Sequence, residues 1–193
     1  MRFLILPALV WIASSASLLA SNVEGQVIVK AARDNSNAVV YVDKIPGKVF
    51  APPANAVRLD QLNLTFVPHV LPILAGTTVE FPNSDEVRHN VFSPSPVRFN
   101  LGTYEKNTKK YYRFEKPGVA TLLCNVHAEM SAYVVVTETP YFAVTGKDGK
   151  FILKDVPPGN YTVKVWHEKA KSTAVPVEVS GTTVNVPAIE LKR

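Results

Sequence analysis

Cys124-Asn125-Val126-His127-Ala128-Glu129-Met130 places a thiol, an imidazole and a thioether in one short span, in the pattern C-x2-H-x2-M. Cys124 is the only cysteine of the chain, and Met130 is its only methionine besides Met1. These are the donor types of a mononuclear type 1 copper site, in which two histidines and a cysteine form a trigonal plane and a methionine sits at long axial range. All donors must come within about 2–3 Å of one ion, which requires a short loop with both ends anchored. The flanks supply the anchors. Gly118-Val119-Ala120-Thr121-Leu122-Leu123 reads as a buried strand entering the loop, and Ala132-Tyr133-Val134-Val135-Val136-Thr137 as a strand leaving it.

Working outward, the rest of the chain reads as β throughout. Hydrophobic residues make up 47% and charged residues 19% of the 193, which suits a globular chain and excludes a disordered one. Fifteen prolines, many β-branched residues and no helical periodicity beyond the N-terminus predict an all-β protein. Gly25–Lys30 and Asn37–Val42 are expected as strands around a polar turn at Arg33–Ser36. Ile45–Ala54 is proline-rich and aperiodic, and reads as a connector. Leu62–Phe66 alternates and is expected as a strand, Val70–Ile73 as an edge strand because of Pro72, and Thr77–Phe81 as a strand after Gly76. The stretch from Ser93 to Tyr104 is expected to be mostly loop. Tyr104–Phe114 interleaves basic and aromatic residues. With a formal net charge of only +5, it reads as a half-buried strand with a solvated cationic face, not as a nucleic-acid interface. Strands are also expected at Tyr141–Thr145, Phe151–Leu153, Tyr161–Trp166, Val175–Val179 and Val184–Leu191.

Met1–Ala20 has the form of a secretory signal: Arg2, an apolar run from Phe3 to Ala13, then small residues. Cleavage is expected after residue 20, and as late as residue 25. The apolar run is shorter than the ~20 residues that span a bilayer, so no membrane span is expected after cleavage. The expected location is periplasmic or secreted. Export sharpens the reading of Cys124, because a lone cysteine in an oxidising compartment is best accounted for if a metal occupies it.

A second histidine must complete the donor set. Of His69, His89 and His167, the best placed is His89, which follows a strand and the Asn83-Ser84-Asp85 turn. Asn90 comes directly after it, and a polar side chain there is expected to hydrogen-bond across to the ligand loop. His69 and His167 are left without an assigned role.

Residues 55–138 resemble the cupredoxins, small blue copper proteins of the amicyanin, pseudoazurin and plastocyanin kind. The matching pieces are Leu62–Pro68, Gly76–Asn83, His89-Asn90-Val91, Pro117-Gly118 and the Cys124–Met130 loop. The resemblance implies a Greek-key β-sandwich holding one copper ion through His89, Cys124, His127 and Met130. It implies no catalytic residues, and it implies one-electron transfer between redox partner proteins, a donor and an acceptor. The loop departs from amicyanin at Ala128, where that relative carries proline. Thr145–Phe151 and Val156–Val163 instead resemble the carboxypeptidase-regulatory-like, transthyretin-like β-sandwich, as do the strands at Gly25–Val29 and Asn37–Val42. The expected organisation is therefore a copper domain at 55–138 inserted into a second, smaller sandwich made of 23–50 and 139–193. The alternative function is periplasmic copper handling, as a chaperone or sensor. Against it, delivery favours clusters of methionine and cysteine, and the mature chain carries one of each. Catalysis is not expected, since Cys124 and His127 lack an orienting group and an oxyanion loop.

Overall fold

The computed structural model describes residues 20–94 and 96–193, and every regular element among them is a β-strand. The leader at Met1–Ala20 lies outside the described residues except for Ala20. In chain order the first strands are β1 (Ser21–Val29), β2 (Val39–Val42), β3 (Val57–Arg58), β4 (Asp60–Leu62), β5 (Thr65–Val67) and β6 (Val70–Leu74). They are followed by β7 (Thr77–Pro82), β8 (His89–Ser93), β9 (Phe99–Tyr104), β10 (Lys109–Phe114), β11 (Gly118–Leu123) and β12 (Ser131–Thr137). The last are β13 (Phe142–Val144), β14 (Lys150–Val156), β15 (Gly159–His167), β16 (Ala170–Val179), β17 (Thr183–Asn185) and β18 (Ile189–Leu191).

The middle of the chain packs a five-stranded sheet, β6-β12-β11-β8-β9, with a three-stranded one, β10-β7-β3. Alternation drives this. In β7 and β11 every second residue is buried, and Val79, Phe81, Ala120 and Leu122 meet Phe114 and Val134 in one core. Burying each large side chain contributes about 2 kcal/mol. β11 and β12 form an antiparallel hairpin whose last rung pairs Leu123 with Ser131. Cys124 and Met130 thus leave the two ends of that rung. β8 joins β11 through Phe92 and Leu123, which brings the start of β8 to the same end of the sandwich.

The outer parts of the chain build a second core. β1 pairs with β14, β17 and β18, while the other sheet runs β13-β2-β15-β16. Val23, Val27, Val40, Leu153, Val163 and Val165 are fully buried between them. β2 pairs with β15, Val40 opposite Val165, across more than a hundred intervening residues. Residues 43–56 carry no strand and connect one core to the other. The cores touch through Val39, Val70 and Val135, with Trp166 and Tyr133 packed alongside. β12 is therefore buried on both faces, the physical basis of its unbroken Val134-Val135-Val136 run.

Four details differ from the sequence reading. Tyr104–Phe114 is not one strand: Tyr104 ends β9, residues 105–108 turn, and β10 begins at Lys109. Leu62–Phe66 is not one strand but the tip of the β4–β5 hairpin, with Asn63 and Leu64 both left-handed at φ 55° and 57°. Alternating apolar residues resemble a strand, yet two consecutive left-handed residues make a tight hairpin turn. Phe99–Tyr104 is a strand, β9, paired to β8, with Phe99, Leu101 and Tyr104 turned to the first core. Val184–Leu191 is split into β17 and β18, which pair side by side with successive halves of β1.

Gly149 closes the turn before β14 at φ 76°, and its carbonyl accepts the Val27 amide at 2.8 Å. A Cβ there would lie 2.1 Å from the Val27 carbonyl oxygen. Gly149→Ala is expected to destabilise the protein by about 3 kcal/mol, from left-handed strain plus the clash, as read by urea unfolding.

Candidate metal centre

Three donors converge at one end of the first core. The ring nitrogens of His89 and His127 and the sulfur of Cys124 offer ligand atoms that lie within 4.8 Å of one another. His89 is fully buried at the start of β8, Cys124 is buried just past β11, and His127 is half-exposed at the middle of the loop. The two Nδ1 atoms face each other at 3.1 Å. Met130 is 1% exposed, shares the core with Cys124, and returns the loop on itself by donating its amide to the His127 carbonyl at 3.1 Å. His69 and His167 lie elsewhere. His69 is in the β5–β6 turn, and His167 is buried at the end of β15, where Nδ1 accepts the Lys169 amide.

The residue that orients His89 is Asp85, which the sequence reading treated only as part of a turn. Its Oδ2 lies 2.8 Å from His89 Nε2. A carboxylate only accepts, so Nε2 carries the proton and the Nδ1 lone pair is left directed at His127 and Cys124. The same carboxylate accepts the amides of Asn63 and Leu64, at 2.6 and 2.9 Å, and so holds the left-handed hairpin tip against the site. Burial pushes the Asp85 carboxyl up, but the Leu64 amide, His89 and the Asn63 amide outweigh it and hold the group below its ordinary value. Asn83 fixes the loop: its side chain donates to the carbonyls of Val87 and Tyr104, and accepts the Asp85 amide. The available signal was the Asp85–His89 spacing of four across a turn, which only a folded loop converts into contact.

Asn90 acts differently from the expectation. Its backbone amide, not its side chain, reaches the ligand loop, at 3.5 Å from the Cys124 sulfur. The side chain turns to β9 and donates to Asn100 Oδ1 at 2.8 Å, because the bulged β8–β9 pairing brings that acceptor within reach. Its own Oδ1 is buried without a partner.

The donor set fits a soft or borderline metal ion. Two nitrogens about 2 Å from one ion at a tetrahedral angle lie about 3.3 Å apart, close to the observed 3.1 Å separation. A thiol beside two imidazoles, with a buried thioether close in sequence, is a copper-type donor set rather than the oxygen-rich set of calcium or magnesium.

No known protein family matches the sequence, and no curated protein does. Several solved structures resemble part of it. A copper-containing nitrite reductase from Thermus scotoductus SA-01 is 26% identical over 51% of this chain, with a TM-score of 0.42; the chain spans 25% of that protein's length. A purple cupredoxin from Nitrosopumilus maritimus is 24% identical over 42% of this chain and 99% of its own, with a TM-score of 0.40. An oxidized amicyanin mutant is 24% identical over 42% of this chain and 81% of its own, with a TM-score of 0.41.

Removing the Asp85 carboxylate strips acceptors from two backbone amides and one imidazole. Asp85→Ala is expected to destabilise the protein by about 3 kcal/mol in urea unfolding, with Asp85→Asn losing roughly half as much.

Proposed function

We propose that this chain is an exported copper protein of the cupredoxin kind that carries single electrons between redox partner proteins. The observation that carries the reading is the convergence of two imidazole nitrogens and the only thiol at the end of a β-sandwich. His89, Cys124 and His127 would hold the ion, with the Met130 thioether as a fourth donor. Copper bound there would supply a one-electron couple. The protein's part is to hold the donors in one arrangement. Asp85 fixes the His89 ring, the Asn90 amide donates to the Cys124 sulfur and tunes its electron density, and the β11–β12 hairpin pins both ends of the loop.

Electrons would enter and leave at His127, the half-exposed member of the set. Its neighbour Val126 is 47% exposed, and Leu64, on the turn held by Asp85, is 41% exposed. Nearby, Arg58 pairs with Asp60, Lys106 with Glu86 and Arg88 with Glu105, so this end presents the exposed Val126 and Leu64 side chains beside the exposed Glu129. Such a surface suits brief docking to a partner with a matching apolar face. Burial of Cys124 and Met130 disfavours the alternative of a delivery protein, which needs exchangeable donors at its surface.

The two cores are read as a copper domain at 55–138 inserted into a carboxypeptidase-regulatory-like sandwich, 23–50 and 139–193. Export rests on the Met1–Ala20 pattern. Cleavage after residue 20 would leave β1 whole, whereas cleavage after residue 25 would remove the part of β1 that pairs with β17. Among the described residues no helix is long and apolar enough to cross a membrane.

Copper-loaded protein is expected to show intense visible absorption from thiolate-to-copper charge transfer, and Cys124→Ser to abolish it. A loaded wild-type protein without that band overturns the assignment. Asp85→Asn is expected to weaken copper binding by about tenfold in a chelator competition.

A further inference from the structure

The tip of the β15–β16 hairpin lies against the end of the ligand loop. Trp166 packs on Tyr133, ring centroids 5.1 Å apart, and Tyr133 meets the His69 ring edge-on at 5.6 Å. His69 then bridges the two cores through its side chain. Nδ1 lies 3.1 Å from the Ser131 carbonyl oxygen, and Nε2 lies 3.2 Å from Glu168 Oε1. The Ser131 carbonyl and the Glu168 carboxylate both only accept, so the ring bridges them by donating from both nitrogens. Burial and the Glu168 carboxylate both raise the Tyr133 phenol, which places that carboxylate against β12 as well.

The contact bears on the centre because Ser131 directly follows Met130. The parallel β6–β12 ladder begins with Val70 opposite Tyr133. Before that rung, the Tyr133 amide donates to the His69 carbonyl at 2.9 Å. The Ser131 carbonyl lies one step beyond the ladder, and the His69 ring supplies the hydrogen bond that a further rung would have made. Little else packs there. A cleft of about 430 Å³ opens beside it, lined by Phe66, Val67, His69, Met130 and Ser131. Beyond the hairpin rung at Leu123–Ser131, the end of the ligand loop is thus held by the His69 ring, and the ring is held by a residue of the other core.

We propose that Glu168 is a positioning residue: by holding His69 against the Ser131 carbonyl, it lets the second sandwich set how firmly Met130 is seated. The spectroscopic consequence rests on the copper reading; the anchoring itself does not. A molecule that moved the β15–β16 tip would act on the centre through the Glu168–His69 contact. That gives the second sandwich a role beyond that of a spacer.

Amide hydrogen exchange on the full-length mature chain without metal tests the anchoring. In Glu168→Ala the Met130 and Tyr133 amides are expected to exchange about tenfold faster, while the Val163 amide in the second core keeps its wild-type rate. Glu168→Gln, whose side-chain amide still bonds Nε2, is expected to restore wild-type exchange. If Glu168→Ala loses its fold, His69→Asn serves in its place, since it keeps a donor for Ser131 but cannot reach Glu168. Unchanged exchange at Met130 in the folded variant overturns the proposal, as does an equal rise at Val163. In copper-loaded protein, Glu168→Ala is expected to change the intensity ratio of the charge-transfer bands and the paramagnetic-resonance symmetry, while Glu168→Gln keeps both. A wild-type protein that shows no thiolate-to-copper band sinks the copper reading alone, and the exchange result still decides whether Glu168 anchors the loop.

Discussion

Two imidazole nitrogens, those of His89 and His127, face each other at 3.1 Å beside a buried sulfur, and the first sandwich is arranged to keep them there. With a proton on His127 Nδ1 the pair is a hydrogen bond, and a metal ion would take that proton's place; either way both rings have to be aimed at one point by groups outside the trio. Asp85 does this for His89 by accepting a hydrogen bond from its Nε2–H. The hairpin rung Leu123–Ser131 does it for His127 by fixing both ends of the loop that carries it. Asn83 in turn holds the Asp85 loop with three side-chain hydrogen bonds, and is itself 1% exposed.

Asp85 also ties site to surface. One carboxylate serves the buried His89 ring and the two left-handed amides of the β4–β5 turn. The exposed apolar side chains of that turn therefore cannot shift without disturbing the His89 ring. On the electron-carrier reading proposed above, such rigidity would keep the donor set unchanged when a partner touches the surface.

The second sandwich has a different relation to the first. It is formed by the two ends of the chain, with β2 and β15 paired across the whole of the first core's sequence. It meets the first core on the outer face of β12. That strand is thus shared: its inner face closes the core that holds Cys124 and Met130, and its outer face is covered by Val39 and Trp166. One strand buried on both sides is how a module that contributes no member of the His89–Cys124–His127 cluster gains purchase on the loop.

Much of this was legible in the sequence. Strands with clean alternation, such as Thr77–Pro82 and Gly159–His167, fall where period-two burial requires. The spacing of Cys124, His127 and Met130 needs only a short loop between two strands, which is local information. Elements set by a partner were not legible. Leu62–Phe66 looks like a strand until Asp85, more than twenty residues away, takes two of its amides and bends it into a turn. β9 is a strand paired to β8, where the sequence reading expected mostly loop.

The sequence by itself determined the chemistry available: one thiol, one thioether beyond the first residue, a histidine between them, and β-strands to hold them. Side-chain identity and short-range periodicity are properties of the chain. The sequence also favoured His89 over His69 and His167, and the fold brings its ring to Cys124 and His127; only the tertiary structure decided that Asp85 selects its tautomer and that Glu168 reaches His69 beside the loop's far end. Those choices depend on strand register and on sheets packing across long sequence separations, where a shift of one residue would turn each of these side chains to the opposite face.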